Sequence, residues 1–307
     1  MRGVGGRPVL DVLELWRRSG IGVGRAEGLV LCSLPIAEHG EQRMTPNSFF
    51  ARLWDDYVDV APRAAALREA VERREERVVN DHVAFRTLNL SPINIEALEP
   101  HLLQLGYRRH EPYHFAKKKL DAWSYAPPNA ILPRVFLSEL RVEELSPDAQ
   151  TVLRRLASEV DASSVSTPEA FWAGRLWAPT TRDEYIRLAD ESEYAGWVAA
   201  LGLRANHFTI AVHELEHFDS LESLLQFVES KGAAISDAGG RIKGSPEVYL
   251  EQASTIADEA TVCFADGELT VPTCYYEFAL RHRQPDGSLY EGFVPASADK
   301  IFESTDR

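Results

Sequence analysis

Cysteine is scarce in this sequence. Among 307 residues there are three, at positions 32, 263 and 274, and no two of them form a CxxC pair. An odd count without such pairs argues against a disulfide framework and against a structural zinc site, and it is typical of a reducing cytoplasm. Long apolar runs are also missing, since no stretch reaches the roughly 18 apolar residues of a transmembrane helix. We therefore expect a cytoplasmic protein without a membrane partner.

Basic residues are outnumbered. The chain has 33 Lys and Arg against 47 Asp and Glu, which gives a formal net charge of -14. Such a surface does not attract nucleic acids or anionic membranes, whereas a few buried arginines still allow a small anionic substrate. The apolar share of 45% and the charged share of 26% are those of a globular protein.

The first 43 residues differ from the rest of the chain. They are rich in Gly and Arg and show no sustained hydrophobic period. Met44 is followed by a helix start, with Thr45 as the cap and Pro46 in the first turn. We therefore expect Met44 to be the biological start and residues 1–43 to be a poorly ordered extension.

One order of elements occurs twice. A strand with the alternating sequence VVNDHVAF is followed by a helix and three further strands, and the same order begins again with the strand ANHFTIAVH. This pattern predicts an α+β fold of paired β-α-β-β-β modules. The predicted parts are a first module at about 76–140, a mostly helical insertion at about 141–202 and a second module at about 203–295, all within one domain over 44–307.

Residues 213–217 read HELEH, which matches the H-E-x-x-H signature of zinc proteases. That signature binds zinc only when both histidines share one face of a helix. The preceding residues alternate as in a strand, and a helix start formed by Asp219 and Glu222 comes only after His217. We therefore interpret HELEH as a polar connection and not as a protease site.

Three metal-competent side chains lie at comparable places in the predicted strands. His82 and His207 open the first strand of each module, and Glu277 lies in the last long strand, predicted to run through LTVPTCYYEFALRH. Two histidines and one carboxylate leave coordination positions open, which suits a non-haem Fe(II) ion that holds a substrate and O2. Ordinary interpretations also exist, namely hydrogen-bonded histidines at strand starts and an ion pair between Glu277 and Arg281 on one strand face.

Other polar residues alternate with these candidates. Arg86 follows the first histidine by four residues and shares its strand face, where a guanidinium would bind a substrate carboxylate; alone, it could equally form a surface ion pair. Gln252 and Ser254 alternate on one face of a later strand, and we predict that they contact the substrate. We also expect Tyr275 to share the face of Glu277.

The segments NDHVAFRTLN, NHFTIAVH, GGRIKGSPEVYLEQASTIAD and FADGELTVPTCYYEFALR resemble the 2-oxoadipate dioxygenase/decarboxylase family, also called hydroxyglutarate synthases. The resemblance covers about residues 45–307. It implies a vicinal-oxygen-chelate-like architecture, in which the paired modules form a curved central sheet around a metal site. It also implies Fe(II) as the cofactor, held by His82, His207 and Glu277.

The resemblance extends to the substrate. It implies that Arg86 holds the substrate carboxylate, that Arg86 and His207 act in catalysis, and that His82 and His207 also touch the substrate. The segment VPASAD is similar to the family's stretch near the substrate, which adds Ala296 and Ser297 as candidates. The partner of the far carboxylate stays open among Lys243, Arg241 and Ser297.

The implied reaction converts 2-oxoadipate and O2 into 2-hydroxyglutarate and CO2, a step of lysine catabolism. One alternative is a redox-neutral isomerase or lyase of glyoxalase type on the same fold, which would not consume oxygen. Another is a protein that binds a small acid without turnover. The sequence does not set the oligomeric state.

Overall fold

A computed structural model describes residues 44–295 and Ser297. The predictions for residues 1–43 and for Ala296 lie outside the described residues. Within the described part, no helix is long and apolar enough to cross a membrane.

Two helices open the described chain, α1 (Pro46–Val60) and α2 (Pro62–Glu72). The predicted start of α1 is confirmed, because the Thr45 side chain accepts a hydrogen bond from the backbone N–H of Ser48. The first helix ends at Val60 with Ala61 as its C-cap, ahead of a proline that lacks the N–H needed to continue the helical hydrogen bonds.

The first module follows the predicted order. Its elements are β1 (Asn80–Leu88), α3 (Ile95–Gln104), β2 (Arg108–Phe115), β3 (Leu120–Ala126) and β4 (Arg134–Leu140). The central strand β1 is buried on both faces, whereas β2 is exposed at most of its positions. The difference follows from their places, since β2 is the edge of the sheet and β1 lies near its middle.

Helices occupy the chain between the modules. They are α4 (Pro147–Ser158), α5 (Arg182–Glu191) and α6 (Glu193–Leu201), with short 3₁₀ turns between α4 and α5. The Ser192 side chain caps α6, and every residue of α6 from Tyr194 onward is buried. A helix that is apolar on all sides belongs in a core. Accordingly, α6 packs against β1.

The second module contains two elements more than predicted, the short strand Lys243–Ser245 and a second strand at its end. Its elements are β5 (Ala205–Ala211), α7 (Leu221–Ser230), β6 (Lys243–Ser245), β7 (Leu250–Ser254), β8 (Glu259–Phe264), β9 (Gly267–Pro272) and β10 (Tyr275–Arg281). The prediction of a single strand through LTVPTCYYEFALRH was wrong, because β9 ends at Pro272 and pairs only with β8. The chain then enters the main sheet as β10.

The eight-stranded main sheet has the order β2-β3-β4-β1-β5-β10-β7-β6. The first strands of the two modules, β1 and β5, are antiparallel neighbours at its centre. Strand β10 runs parallel to β5 on the other side. This curled sheet with helices confirms the α+β fold class, and its three middle strands carry all three predicted metal ligands.

Candidate metal centre

Adjacent strands bring His82, His207 and Glu277 together. One ligand atom from each lies within 4.8 Å of the others, and all three side chains are buried. The two histidine Nε2 atoms are 3.3 Å apart. Glu277 Oε1 lies 3.5 Å from His82 Nε2, and Glu277 Oε2 lies 3.3 Å from His207 Nε2.

These spacings match the requirements of a metal ion. Ligand atoms at about 2.1 Å from a common ion are separated from one another by roughly 3.0–3.4 Å. The residues were far apart in sequence, with 125 positions between the two histidines. The cluster therefore depends on the pairing of the two modules.

Each imidazole is oriented by the residue before it. His82 Nδ1 lies 2.8 Å from Asp81 Oδ1, and His207 Nδ1 lies 3.0 Å from Asn206 Oδ1. Both acceptors fix the proton on Nδ1, which leaves each Nε2 lone pair free to bind a metal. Neither acceptor was singled out from the sequence, although an acidic or amide residue directly before each candidate histidine was a readable signal.

Arg281 supports the first of these acceptors. Its guanidinium binds Asp81 with two hydrogen bonds of 2.6 and 2.9 Å and also donates to the carbonyls of Tyr290 and Gly292. Burial alone would raise the pKa of Asp81, but Arg281 and His82 hold it well below its usual range. The suggested ion pair between Arg281 and Glu277 is replaced by this one.

Glu277 has one satisfied and one unsatisfied oxygen. Gln252 Nε2 donates to Oε1 at 2.7 Å, whereas Oε2 is buried with no hydrogen-bond partner among residues 44–295 and 297. Burial raises the pKa of this carboxyl, and the neighbouring His82, the hydrogen bond from Gln252 and the Lys243 ammonium oppose that rise. A buried carboxylate oxygen without a donor is costly, and a cation between the three ligands would remove that cost.

The second histidine is held neutral by its surroundings. Burial lowers the pKa of His207 well below its usual value, and the neighbouring His82 and Arg86 act in the same direction. A neutral imidazole is the form that ligates metals. The donor set and its electrostatics therefore fit a divalent ion.

Arg86 lies farther along β1 on the same face. Its Nη1 donates to Glu193 of α6 at 2.6 Å. The guanidinium carbon also lies 5.0 Å from the ring centroid of Tyr194 and 5.2 Å from that of Trp197. The side chain is 1% exposed, so this is a buried ion pair and not a surface one.

The family model for 2-oxoadipate dioxygenase/decarboxylase matches residues 53–287 of this chain. The chain belongs to the 2-oxoadipate dioxygenase/decarboxylase family. A chloroplastic 2-oxoadipate dioxygenase/decarboxylase of Arabidopsis thaliana is 34% identical over 300 residues, covering 88% of this chain and 81% of the relative. The resemblance inferred from the sequence is thus confirmed.

Two crystal structures are also similar. The hydroxyglutarate synthase of Oryza sativa in complex with 2-oxoadipate is 32% identical, with a TM-score of 0.79, and covers 92% of this chain and 98% of its own. A protein of Shewanella frigidimarina NCIMB 400, provisionally described as a hydrolase, is 41% identical with a TM-score of 0.79 and covers 82% and 98%. The family architecture therefore extends over most of the chain.

The other predicted substrate residues of this family member lie near the cluster or farther along the same face. Ser254 is the register partner of Glu277, and Gln252 lies two residues away on β7. Lys243 is in turn the register partner of Gln252, and it is buried with its Nζ donating to a backbone carbonyl at 3.1 Å. Ser297 is also buried, and its hydroxyl lies beside Gly244.

Arg241 is placed differently. It is one-third exposed and pairs with Glu222 and Glu229 of α7. These carboxylates already neutralise its guanidinium at the surface. Of the three candidates for a far carboxylate, Lys243 and Ser297 are therefore the buried ones.

The HELEH segment does not take part in the metal cluster. Residues Val212–Glu214 form a single 3₁₀ turn, and α7 begins after Ser220, which caps it in place of the predicted Asp219. His213 and Glu214 line a separate cavity of about 360 Å³ at the end of β1. The family site and this segment are distinct, as the sequence pattern indicated.

Proposed function

We propose that this chain is an Fe(II)-dependent dioxygenase/decarboxylase that converts 2-oxoadipate and O2 into 2-hydroxyglutarate and CO2. One observation carries the proposal: the buried cluster of His82, His207 and Glu277, with a Glu277 oxygen that has no hydrogen-bond partner among the described residues. Its family membership supplies the reaction, and its relative from Oryza sativa is described in complex with 2-oxoadipate.

The proposed ligands of Fe(II) are the Nε2 atoms of the two histidines and the Glu277 carboxylate. When bound, such an ion with three protein ligands supplies open positions for a chelating 2-oxo acid and for O2. The same donor set also holds Zn²⁺ in hydrolases, so an oxygen measurement must decide between these chemistries.

The chain's own residues would hold both ends of a dicarboxylic substrate. Arg86 lies on one side of the cluster along the strands, and Lys243 lies on the other side in register with Gln252. A buried guanidinium and a buried ammonium both favour an anionic partner. We assign the carboxylate nearer the keto group to Arg86 and the far carboxylate to Lys243 and Ser297.

Glu193 has a defined part in this proposal. It pairs with Arg86 at 2.6 Å, and the rings of Tyr194 and Trp197 lie over the guanidinium. These contacts fix the orientation of Arg86 before a substrate arrives. The burial of all three metal-binding side chains keeps bulk water away from the reacting atoms.

The overall conversion balances without a further co-reactant. One 2-oxoadipate and one O2 contain the same atoms as one 2-hydroxyglutarate and one CO2. We propose a place for this step in lysine degradation. The cytoplasmic location stays a prediction, since the two plant relatives are named as chloroplastic proteins.

The test is an oxygen-electrode assay on protein loaded anaerobically with Fe(II), alongside the His82→Ala variant. We expect O2 uptake with 2-oxoadipate in a 1:1:1 ratio with CO2 and 2-hydroxyglutarate, and its loss in the variant. The monocarboxylic analogue 2-oxohexanoate has the same chain length and lacks the far carboxylate. It should be a much poorer substrate if Lys243 and Ser297 bind that group.

An absence of O2 uptake with every 2-oxo acid, despite bound Fe(II), would contradict the proposal. The chain would then belong with the redox-neutral isomerases or lyases that can use the same fold. Uptake without CO2 release would contradict the decarboxylation alone.

A further inference from the structure

Tyr275 has a buried hydroxyl group without an explained role. The residue is 1% exposed, and its hydroxyl has no hydrogen-bond partner among the described residues. Its ring stacks on the imidazole of His207, with centroids 4.6 Å apart and planes at 23°. The hydroxyl thus belongs to a side chain that packs directly on a proposed metal ligand.

The sheet register places this side chain between the metal cluster and Arg86. Tyr275 is the register partner of His207, and His207 is that of Ala84. Arg86 lies two residues beyond Ala84 on the same face of β1. Side chains on one face of a strand recur at every second residue. An acid that reaches from the cluster to Arg86 therefore passes the row that holds Tyr275.

A buried donor without an acceptor is unfavourable. Leaving such a group unsatisfied costs the free energy of removing the hydroxyl from water. Phenylalanine would keep the ring stack on His207 at the same position and avoid that cost. The stacking alone therefore does not account for the hydroxyl, whereas an acceptor brought by a ligand does.

We propose that the Tyr275 hydroxyl donates a hydrogen bond to an anionic oxygen of the acidic substrate that lies between the metal cluster and Arg86. The phenol is protonated at neutral pH, so it serves as the donor. Tyr275 is then a substrate-binding residue, next to Arg86 and separate from the metal ligands. The inference rests on the proposed function, because it assumes an acid as the substrate.

The neighbouring tyrosine supplies a matched control. Tyr276 is equally buried, but its ring lies on the opposite face of β10 against Trp54 and Phe278. Tyr275→Phe and Tyr276→Phe each remove one buried hydroxyl from the same strand. Only the first removes it from the face that carries the cluster.

The experiment measures substrate binding and metal binding separately, on the full chain and without oxygen. Calorimetry with Mn(II)-loaded protein gives the Kd of 2-oxoadipate, and competition with a chelator gives the Kd of Mn(II). A hydrogen bond to a charged group is worth about 1.5–3 kcal/mol, so Tyr275→Phe should weaken 2-oxoadipate binding about ten- to hundredfold. Mn(II) affinity should stay unchanged, and Tyr276→Phe should change neither value.

Equal 2-oxoadipate affinities of Tyr275→Phe and the wild-type protein would overturn the inference, as would an equal loss in both variants. An Mn(II) affinity that falls in Tyr275→Phe would show a structural role toward His207 instead. The proposed function fails separately, if 2-oxoadipate binds and no O2 is consumed. A wild-type protein that binds no 2-oxo acid would overturn both.

Discussion

The two halves of the sheet hold their histidines by different means. In the first half, His82 is hydrogen-bonded to the Asp81 carboxylate, and Arg281 binds that carboxylate inside the protein. In the second half, His207 is hydrogen-bonded to the neutral amide of Asn206, and its ring stacks against that of Tyr275. The two modules begin with the same order of elements, but the hydrogen-bond partner of the histidine is charged in the first module and neutral in the second.

This difference separates two tasks that a metal site must perform. A carboxylate behind an imidazole makes it a stronger ligand and anchors the ion. A neutral amide fixes the ring orientation without adding charge, and the stacked Tyr275 is the residue proposed above to contact the substrate. In the proposed metal site, the first half would mainly anchor the metal, whereas the second half would connect it to the substrate.

Breaking the charged support should have the largest effect. Arg281→Met leaves the Asp81 carboxylate buried without its cation, since both side chains are at most 1% exposed. The loss of one partner from a buried pair costs about 3–5 kcal/mol. Chemical denaturation should show a decrease of this size in the free energy of unfolding.

The matched control is an exposed ion pair elsewhere in the chain. Arg187 pairs with Asp183 at 3.1 Å, and the two side chains are 60% and 75% exposed. Arg187→Met should change the free energy of unfolding by no more than about 1 kcal/mol. If the two variants have the same free energy of unfolding, the buried pair of Asp81 and Arg281 stabilises the protein no more than an exposed pair does.

The second prediction concerns a variant in which both histidines have a neutral hydrogen-bond partner. Asp81→Asn gives His82 the same kind of neutral partner that His207 has. Loss of such a supporting group typically reduces metal affinity about 10- to 100-fold. Competition with a chromophoric chelator should show this decrease for Co(II) or Fe(II).

Because Asp81→Asn also leaves Arg281 without its anion, the double variant with Arg281→Met is needed. The double variant removes the unpaired positive charge of Arg281 and keeps a neutral hydrogen-bond partner for the His82 imidazole. Metal affinity that returns to the wild-type value in the double variant would show that the Asp81 charge is not what strengthens His82.

The smallest effect is expected on the second half. Asn206→Ala removes a neutral hydrogen bond to His207, which is worth about 0.5–1.5 kcal/mol. We therefore expect metal affinity to fall by roughly 2- to 12-fold, less than for Asp81→Asn. The same chelator competition measures it, and a larger loss than at Asp81 would reverse the comparison drawn above.

Much of the fold could be predicted from periodicity. The alternation of VVNDHVAF and ANHFTIAVH located β1 and β5, and Thr45 with Pro46 located the start of α1. The break between β9 and β10 was missed, because the two strands read as one apolar run. Which sheet a strand joins depends on long-range pairing, and local sequence does not encode it.

The site was predicted in part for a similar reason. His82, His207 and Glu277 carried a family pattern, and the structure brings them together. The ion pair between Asp81 and Arg281 joins residues 200 positions apart and has no local signature. Gln252 was expected at the substrate, and the structure shows it donating to Glu277; its contact with substrate stays a prediction.

The position of the ligands on three separate strands has a consequence for stability. The two histidines are 125 positions apart in the sequence, so an unfolded chain presents no assembled chelate, and a metal at the proposed site would bind only the native state. Mass action then couples ion concentration to folding. At a free metal concentration of about 100 times its Kd, the native protein gains roughly 2.7 kcal/mol. The supply of the ion in the cell would therefore regulate how long this protein survives, as well as whether it turns over substrate.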